Sequence, residues 1–164
     1  MECVSTVYVI NKNNQFLMMY NKKQKAWLPP GGFVIDNECI HECAIRETKE
    51  EIGLSVGGSL KFMGHVAFES KELDYRTQIS PTPIFVAKQT LTNGKVVENF
   101  IYLAITDSEI IEVQEYNATW YDYSDMKNIE TFDNVRMQID YIYKNIKDFS
   151  FFPEEQVSQP QCHK

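Results

Sequence analysis

Residues Gly32–Leu54 read GFVIDNECIHECAIRETKEEIGL, and the order of charges in this stretch decides how the rest of the chain is read. Neither Gly nor Pro interrupts the run from Glu38 to Ile52, and Gly53 supplies a C-terminal stop, so the pattern predicts a helix. At roughly 100° per residue, Glu47, Glu50 and Glu51 fall within about 100° of one another on its surface. Like-charged neighbours on a helix cost roughly 0.2–0.5 kcal/mol per pair. The last turns are also where the macrodipole favours cations. Two local preferences are violated at one place, which is where a functional site is expected. A hard divalent cation resolves both conflicts, because Mg²⁺ takes oxygen ligands and few protein carboxylates. The competing account is an acidic face in water, partly screened by Lys49 and Arg46.

The surrounding spacing separates these accounts. Gly32, five residues, Glu38, seven residues, Arg46-Glu47, two residues, Glu50-Glu51, one residue and Gly53-Leu54 together resemble the signature of the Nudix hydrolases. One position departs: Thr48 stands where an aliphatic is expected, and its small β-branched side chain still suits packing. The resemblance implies an α/β fold, a Nudix-type α/β/α sandwich with a mixed sheet between helices. It implies Glu47 and Glu51 as principal metal ligands, with Glu50 either a third ligand or the catalytic base. A backbone carbonyl near Gly31 would complete the shell, with Mg²⁺ as the cofactor and Mn²⁺ as the alternative. Arg46 would orient a catalytic carboxylate by charge-assisted hydrogen bonds, or else form a surface ion pair with Glu42 or Glu50. Glu38 is expected at the helix start, where a carboxylate favours the dipole. Many family members bring another glutamate to the metals from the loop before a Trp-containing strand. Here Glu115 is the first choice for that ligand or base, and Glu112 the second.

At 164 residues, 43% hydrophobic and 13% aromatic, the chain suits one globular domain with a proper core. That domain is expected over residues 1–149, with 150–164 a loose tail apart from docking by Phe151-Phe152. A net charge of −7 argues against a broad nucleic-acid surface, which needs clustered Lys and Arg. The first residues, MECVSTVYVI, lack a basic n-region, and no run approaches a membrane span, so a cytoplasmic location is expected. Cys3, Cys39, Cys43 and Cys162 form no spaced disulfide framework. Cys39 and Cys43 lie one helical turn apart without a zinc spacing, which suggests packing thiols.

Along the chain, Cys3 to Ile10 reads as a buried central strand and Gln15 to Tyr20 as its partner across the Asn11–Asn14 turn. Asn21 to Ala26 reads as a polar loop whose lysines, Lys22, Lys23 and Lys25, are solvated or steer phosphates. Pro29-Pro30-Gly31-Gly32 reads as a turn whose glycines let backbone approach a ligand. Strands follow at 61–69, 82–89 and 96–106, the last two joined by an Asn93-Gly94 hairpin. Residues 70–80 read as a surface loop, and the acidic stretch from Asp107 leads to a short strand at Trp120-Tyr121. A second helix is expected at about 133–147, capped by Thr131 or Asp133, with Val135, Ile139, Ile142 and Ile146 as its apolar stripe.

The resulting expectation is metal-dependent hydrolysis of a phosphoanhydride in a nucleoside diphosphate linked to another group. The partner is a small-molecule nucleotide, with no membrane and no extended nucleic acid, and a homodimer is left open. Trp27, Phe33, Tyr75 and Phe85 are aromatic platforms for a base, and the sequence does not rank them. Two alternatives stand beside this reading: a Nudix-like module that senses a nucleotide without cleaving it, and a 5′-RNA pyrophosphohydrolase. Intact Arg46, Glu47, Glu50 and Glu51 weigh against the first, and the acidic balance against the second.

Overall fold

The computed structural model describes residues 1–53, 60–66, 80–108 and 117–152. Strand β1 (Glu2–Asn11) is central, with Val7, Tyr8, Val9 and Ile10 all fully buried, as an apolar run without alternation requires. Along its length it pairs in parallel with a later strand, Glu2 opposite Val97 through Asn11 opposite Thr106. At Asn11 the chain turns back, the Asn11 side chain accepting from the amides of Asn13 and Gln15, into β2 (Phe16–Asn21).

Two short strands were not legible in the sequence. Ala26–Leu28 (β3) pairs with β2, where a loop and a lead-in were expected. Gly31–Phe33 (β4) pairs antiparallel with β1, Thr6 opposite Gly31 and Val4 opposite Phe33, where a turn was expected. Three-residue strands carry too little periodicity to be seen without their partner. The tertiary pairing overrides the turn preference of Pro and Gly.

Helix α1 (Ile40–Ile52) begins two residues after Glu38, with Cys39 as N-cap, and the Glu42 carboxylate accepts from the Cys39 amide at 2.8 Å. Gly53 ends it in the left-handed conformation, φ 75°, its amide donating to the Lys49 carbonyl. Strand β5 (Leu60–Gly64) follows, then β6 (Phe85–Thr90) and β7 (Val96–Thr106), joined by the expected hairpin with Gly94 at φ 83°. Strand β8 (Asn117–Tyr121) pairs with β2. Helix α2 (Asp133–Asn145) has Phe132 at its N-cap in place of Thr131 or Asp133. The Thr131 hydroxyl donates instead to the Trp27 carbonyl at 2.6 Å, pinning the helix entry to β3. Ser150–Phe151 (β9) pairs with β5, and Phe152 is buried, which places the chain against the sheet at Phe151-Phe152.

The sheet runs β3-β2-β1-β7-β5-β9, with β4 on β1, β6 on β7 and β8 on β2. Its two faces carry separate cores. Val7, Val9, Leu17, Phe62, Tyr102 and Ala104 pack with Ala44 and Ile52 of α1. Tyr8, Ile10, Phe16, Ile101 and Leu103 pack with Val135, Ile139 and Ile142 of α2. A mixed sheet between two helices is the expected α/β/α sandwich, with each helix burying the stripe its 3.6-residue period produces.

Candidate active site

The helix α1 carboxylates meet the backbone of β4. Because Thr6 and Gly31 face each other between the hydrogen-bonded rungs of the β1–β4 ladder, Gly31 directs its polar groups away from β1. Its amide donates to Oε2 of Glu51 at 3.2 Å, and Glu51 is buried, 9% exposed. Gly32 faces Glu47: a Cβ built there would lie 2.1 Å from Glu47 Oε1, so only glycine leaves room for that carboxylate. The Cys43 thiol donates to the Gly32 carbonyl at 3.5 Å, and burial pushes that thiol up to about 12, so it stays neutral. Cys39, expected as a second packing thiol, is disulfide-bonded.

Arg46 organises the acidic groups. Its Nε and Nη2 donate to the two oxygens of Glu38 at 2.7 and 3.1 Å, a bidentate fork. Its Nη1 donates to Glu47 Oε1 at 2.6 Å and to Glu50 Oε2 at 3.3 Å, and its Nη2 also reaches the Phe33 carbonyl at 3.0 Å. These bonds, Glu38 foremost, hold its pKa above the ordinary arginine value. The surface pair with Glu50 exists as one arm of a larger network, while Glu42 serves the helix cap. Glu38 lies immediately before the Cys39 N-cap, at the helix start as expected. Besides Arg46 it accepts from the Ile35 amide at 3.1 Å, closing the loop between β4 and α1. Burial raises its carboxyl, but the Arg46 and Ile35 hydrogen bonds outweigh burial and hold it below the usual glutamate range.

A divalent cation is tested against this arrangement by its cradle and its donors. The glycine-made cavity at Glu47, the Glu51 carboxylate and the outward-facing Gly31 backbone are hard oxygen donors of the kind Mg²⁺ and Mn²⁺ take. Their chemistry fits. Their positions are not convergent: among the described residues no group of three or more His, Cys, Asp or Glu is close enough to share an ion. Glu47 is drawn onto Arg46 and Glu51 onto the Gly31 amide, and these contacts must be exchanged for an ion. Glu50, 58% exposed at its side chain, is the most solvated of the three and is held by Arg46 at 3.3 Å. Glu115 and Glu112, the loop candidates, lie outside the described residues, as does Tyr75 among the aromatic candidates. Of the others, Trp27 packs between Tyr20 and Tyr121, Phe33 is exposed under the Lys95 ammonium, and Phe85 lines a groove against α2.

That groove was missed by the sequence reading except for Phe85. It has a volume of about 430 Å³ and is lined by Phe85, Asn134, Met137, Gln138 and Tyr141. Its signal was present but off the stripe: Met137 and Tyr141, 72% and 40% exposed, are apolar residues on the outer side of α2.

The site sets a Gly-Gly strand against a carboxylate-rich helix, with one arginine binding Glu38 and two glutamates of that helix. The NUDIX domain model matches residues 2–140, and the chain belongs to the Nudix family. It resembles a NUDIX-family hydrolase from Clostridium perfringens at 25% identity and TM-score 0.75, over 88% of this chain and 97% of that one. It also resembles the C. elegans Ap4A hydrolase binary complex, at 17% identity and TM-score 0.67 over 90% and 99% of the two chains. A third likeness is to the E. coli dihydroneopterin triphosphate pyrophosphohydrolase, at 15% identity and TM-score 0.61 over 87% and 95%. No curated protein sequence matches the chain. The protein is a Nudix hydrolase by family and fold.

Proposed function

We propose that this chain hydrolyses a phosphoanhydride bond in a nucleoside diphosphate linked to another group, using Mg²⁺, with Mn²⁺ as a substitute. Glu47, Glu50, Glu51 and the Gly31 carbonyl would hold the cation, which supplies charge neutralisation on the phosphates and lowers the pKa of bound water. The observation that carries the reading is the Gly31-Gly32 strand clasped by Glu51 and Glu47, a cradle that a side chain at Gly32 would fill. Water adds to phosphorus, the P–O bond to the leaving phosphate breaks, and the water's proton passes to a carboxylate, Glu50 or the loop residue Glu115. Arg46 holds Glu47 and Glu50 from one side, limiting the rotamers each can adopt and so the entropy lost on binding. The names of the solved relatives, Ap4A hydrolase and dihydroneopterin triphosphate pyrophosphohydrolase, support a nucleotide-like substrate.

The test is hydrolysis measured with Mg²⁺ against EDTA. The panel comprises canonical and oxidised nucleoside triphosphates, ADP-ribose, dinucleoside polyphosphates, nucleotide sugars and triphosphorylated RNA. Activity lost with EDTA, restored by Mg²⁺, and cut by Glu51→Gln supports the reading. Uniform inactivity with metal present favours a nucleotide-sensing module instead. RNA-only activity that falls steeply with salt favours the 5′-RNA pyrophosphohydrolase.

A further inference from the structure

The β1–β4 ladder places one more polar group beneath the carboxylates of α1. The Val7 amide donates to the Pro30 carbonyl at 2.9 Å, and the Val34 amide donates to the Cys3 carbonyl at 3.0 Å. Ser5 and Gly32, midway between these rungs, are therefore a hydrogen-bonded pair with Cα atoms about 5.5 Å apart. Their side-chain positions share a face, and it is the face α1 covers. Val7 and Val9, the next residues of the same alternation on β1, pack with Ala44 and Ile52 of that helix. Gly32 reports the same from its side, since a Cβ there would lie 2.3 Å from the Glu47 carboxyl carbon. The Glu47 carboxylate thus fills the place beside Ser5 that a side chain at position 32 would otherwise take.

Ser5 is fully buried, and its hydroxyl has no hydrogen-bond partner. Such a group gives up water and gains nothing in return, so its retention in a core calls for a reason. In a helix a hydroxyl can fall back on the preceding turn, as Thr48 does on the Ala44 carbonyl at 2.7 Å. A strand offers no such carbonyl. On its own face the neighbours of Ser5 are Phe100 on β7, Gly32 on β4, and Cys3 and Val7 along β1. A strong partner must come from the helix above, where Cys43 and Glu47 stand one turn apart over Gly32. The Cys43 thiol is neutral and already donates to the Gly32 carbonyl, which leaves Glu47. In this structure Arg46 holds that carboxylate through Oε1 at 2.6 Å.

We propose that Ser5 is a positioning residue for Glu47, its hydroxyl donating to the Glu47 carboxylate once a divalent cation competes with Arg46 for it. The contact occupies one carboxylate oxygen, leaves the other for the cation, and gives the buried hydroxyl its partner. Carboxylates that bind metal are ordinarily oriented by hydrogen bonds of this kind. The inference rests on the proposed metal-dependent hydrolysis, and it adds a strand residue to a site otherwise built from the helix and the glycines.

The experiment uses Mn²⁺ as the probe and reads binding without turnover. Electron paramagnetic resonance titrations compare wild type, Ser5→Ala and Ser5→Thr, with Glu51→Gln marking which bound ions belong to the cradle. Ser5→Ala should bind Mn²⁺ roughly tenfold more weakly, the usual cost of losing a hydrogen bond behind a ligand. Ser5→Thr keeps the donor and should stay close to wild type. Melting curves supply the second readout. In EDTA, Ser5→Ala should melt no lower than wild type, because the hydroxyl it lacks has no partner there. At equal Mn²⁺ its gain in melting temperature should be smaller than that of wild type. A serine with a purely structural role gives the reverse, a lower melting temperature in EDTA with unchanged Mn²⁺ affinity, and that pattern overturns the proposal. So does a Ser5→Thr protein that melts like wild type in EDTA yet binds Mn²⁺ as weakly as Ser5→Ala. Wild type that binds no Mn²⁺ at the cradle defeats the hydrolysis reading and the role of Ser5 with it. Wild-type binding that Ser5→Ala leaves unaltered defeats the role of Ser5 alone.

Discussion

Arg46 bonds Glu38, Glu47, Glu50 and the Phe33 carbonyl within 2.6–3.3 Å, and this fan explains how like charges are tolerated on one helix face. Lysine carries the charge but not the fork, so Arg46→Lys would lose the bidentate Glu38 contact and the Phe33 tie together. Turnover should fall roughly 10–100-fold, the usual cost of disturbing residues that orient ligands. Steady-state kinetics with a melting curve on the same sample would show whether activity falls ahead of stability. Gly32→Ala makes a sharper demand, because its methyl would occupy the place of the Glu47 carboxylate. That variant should weaken Mg²⁺ activation by at least the same factor, read as a higher Mg²⁺ concentration for half-maximal rate.

Burial lowers the pKa of His41 below 6.5, and the balance of bonds over burial lowers that of Glu38 below 4.5. A depressed folded pKa stabilises above the unfolded value and stops stabilising as pH falls through the folded one. Both groups therefore erode stability on the acid side, His41 starting below its ordinary value and Glu38 lower still. In urea melts across that range, Glu38→Gln should flatten the lower part of the decline. A decline that is unaltered in the variant would place its cause elsewhere.

Among the elements, α2 depends most on one side chain. Arg136 donates to the carbonyls of Met126 at 3.1 Å, Thr131 at 2.8 Å and Ile129 at 2.7 Å, tying the segment after β8 to the helix. Removing it leaves three carbonyls to find other donors, so Arg136→Ala should destabilise by about 2–3 kcal/mol. Denaturant midpoints with an unchanged m-value would measure this. The helix stripe was readable because Val135, Ile139 and Ile142 repeat at the helical period, and all three are buried. The N-cap was not. Phe132 takes it because Thr131 is engaged by the Trp27 carbonyl, a partner 104 residues away in sequence. Strand β4 escaped for a similar reason, since Gly31–Phe33 has a strand's conformation only against β1.

For the molecule as a whole, bound metal is folding free energy. At a hundredfold excess over its dissociation constant, an ion adds about 2.7 kcal/mol. Mg²⁺ should therefore raise the melting temperature of the wild type by roughly 5–10 °C and that of Glu51→Gln by less. Equal shifts in both proteins would point to ions bound elsewhere. No helix among the described residues is long and apolar enough to cross a membrane. The spacing of Gly32, Glu38, Arg46, Glu47, Glu50 and Glu51 was enough for the family, and with it the sandwich, because those residues act through a helix whose geometry is local. Runs of buried residues in β1, β7 and α2 were equally plain, since period and length are properties of neighbours in sequence. Which oxygen Arg46 holds, how closely Gly32 admits Glu47, and that Phe85, Gln138 and Tyr141 share a groove were settled only by folding. Those facts depend on strand register and on which helix covers which face, and both are fixed by contacts between residues far apart along the chain.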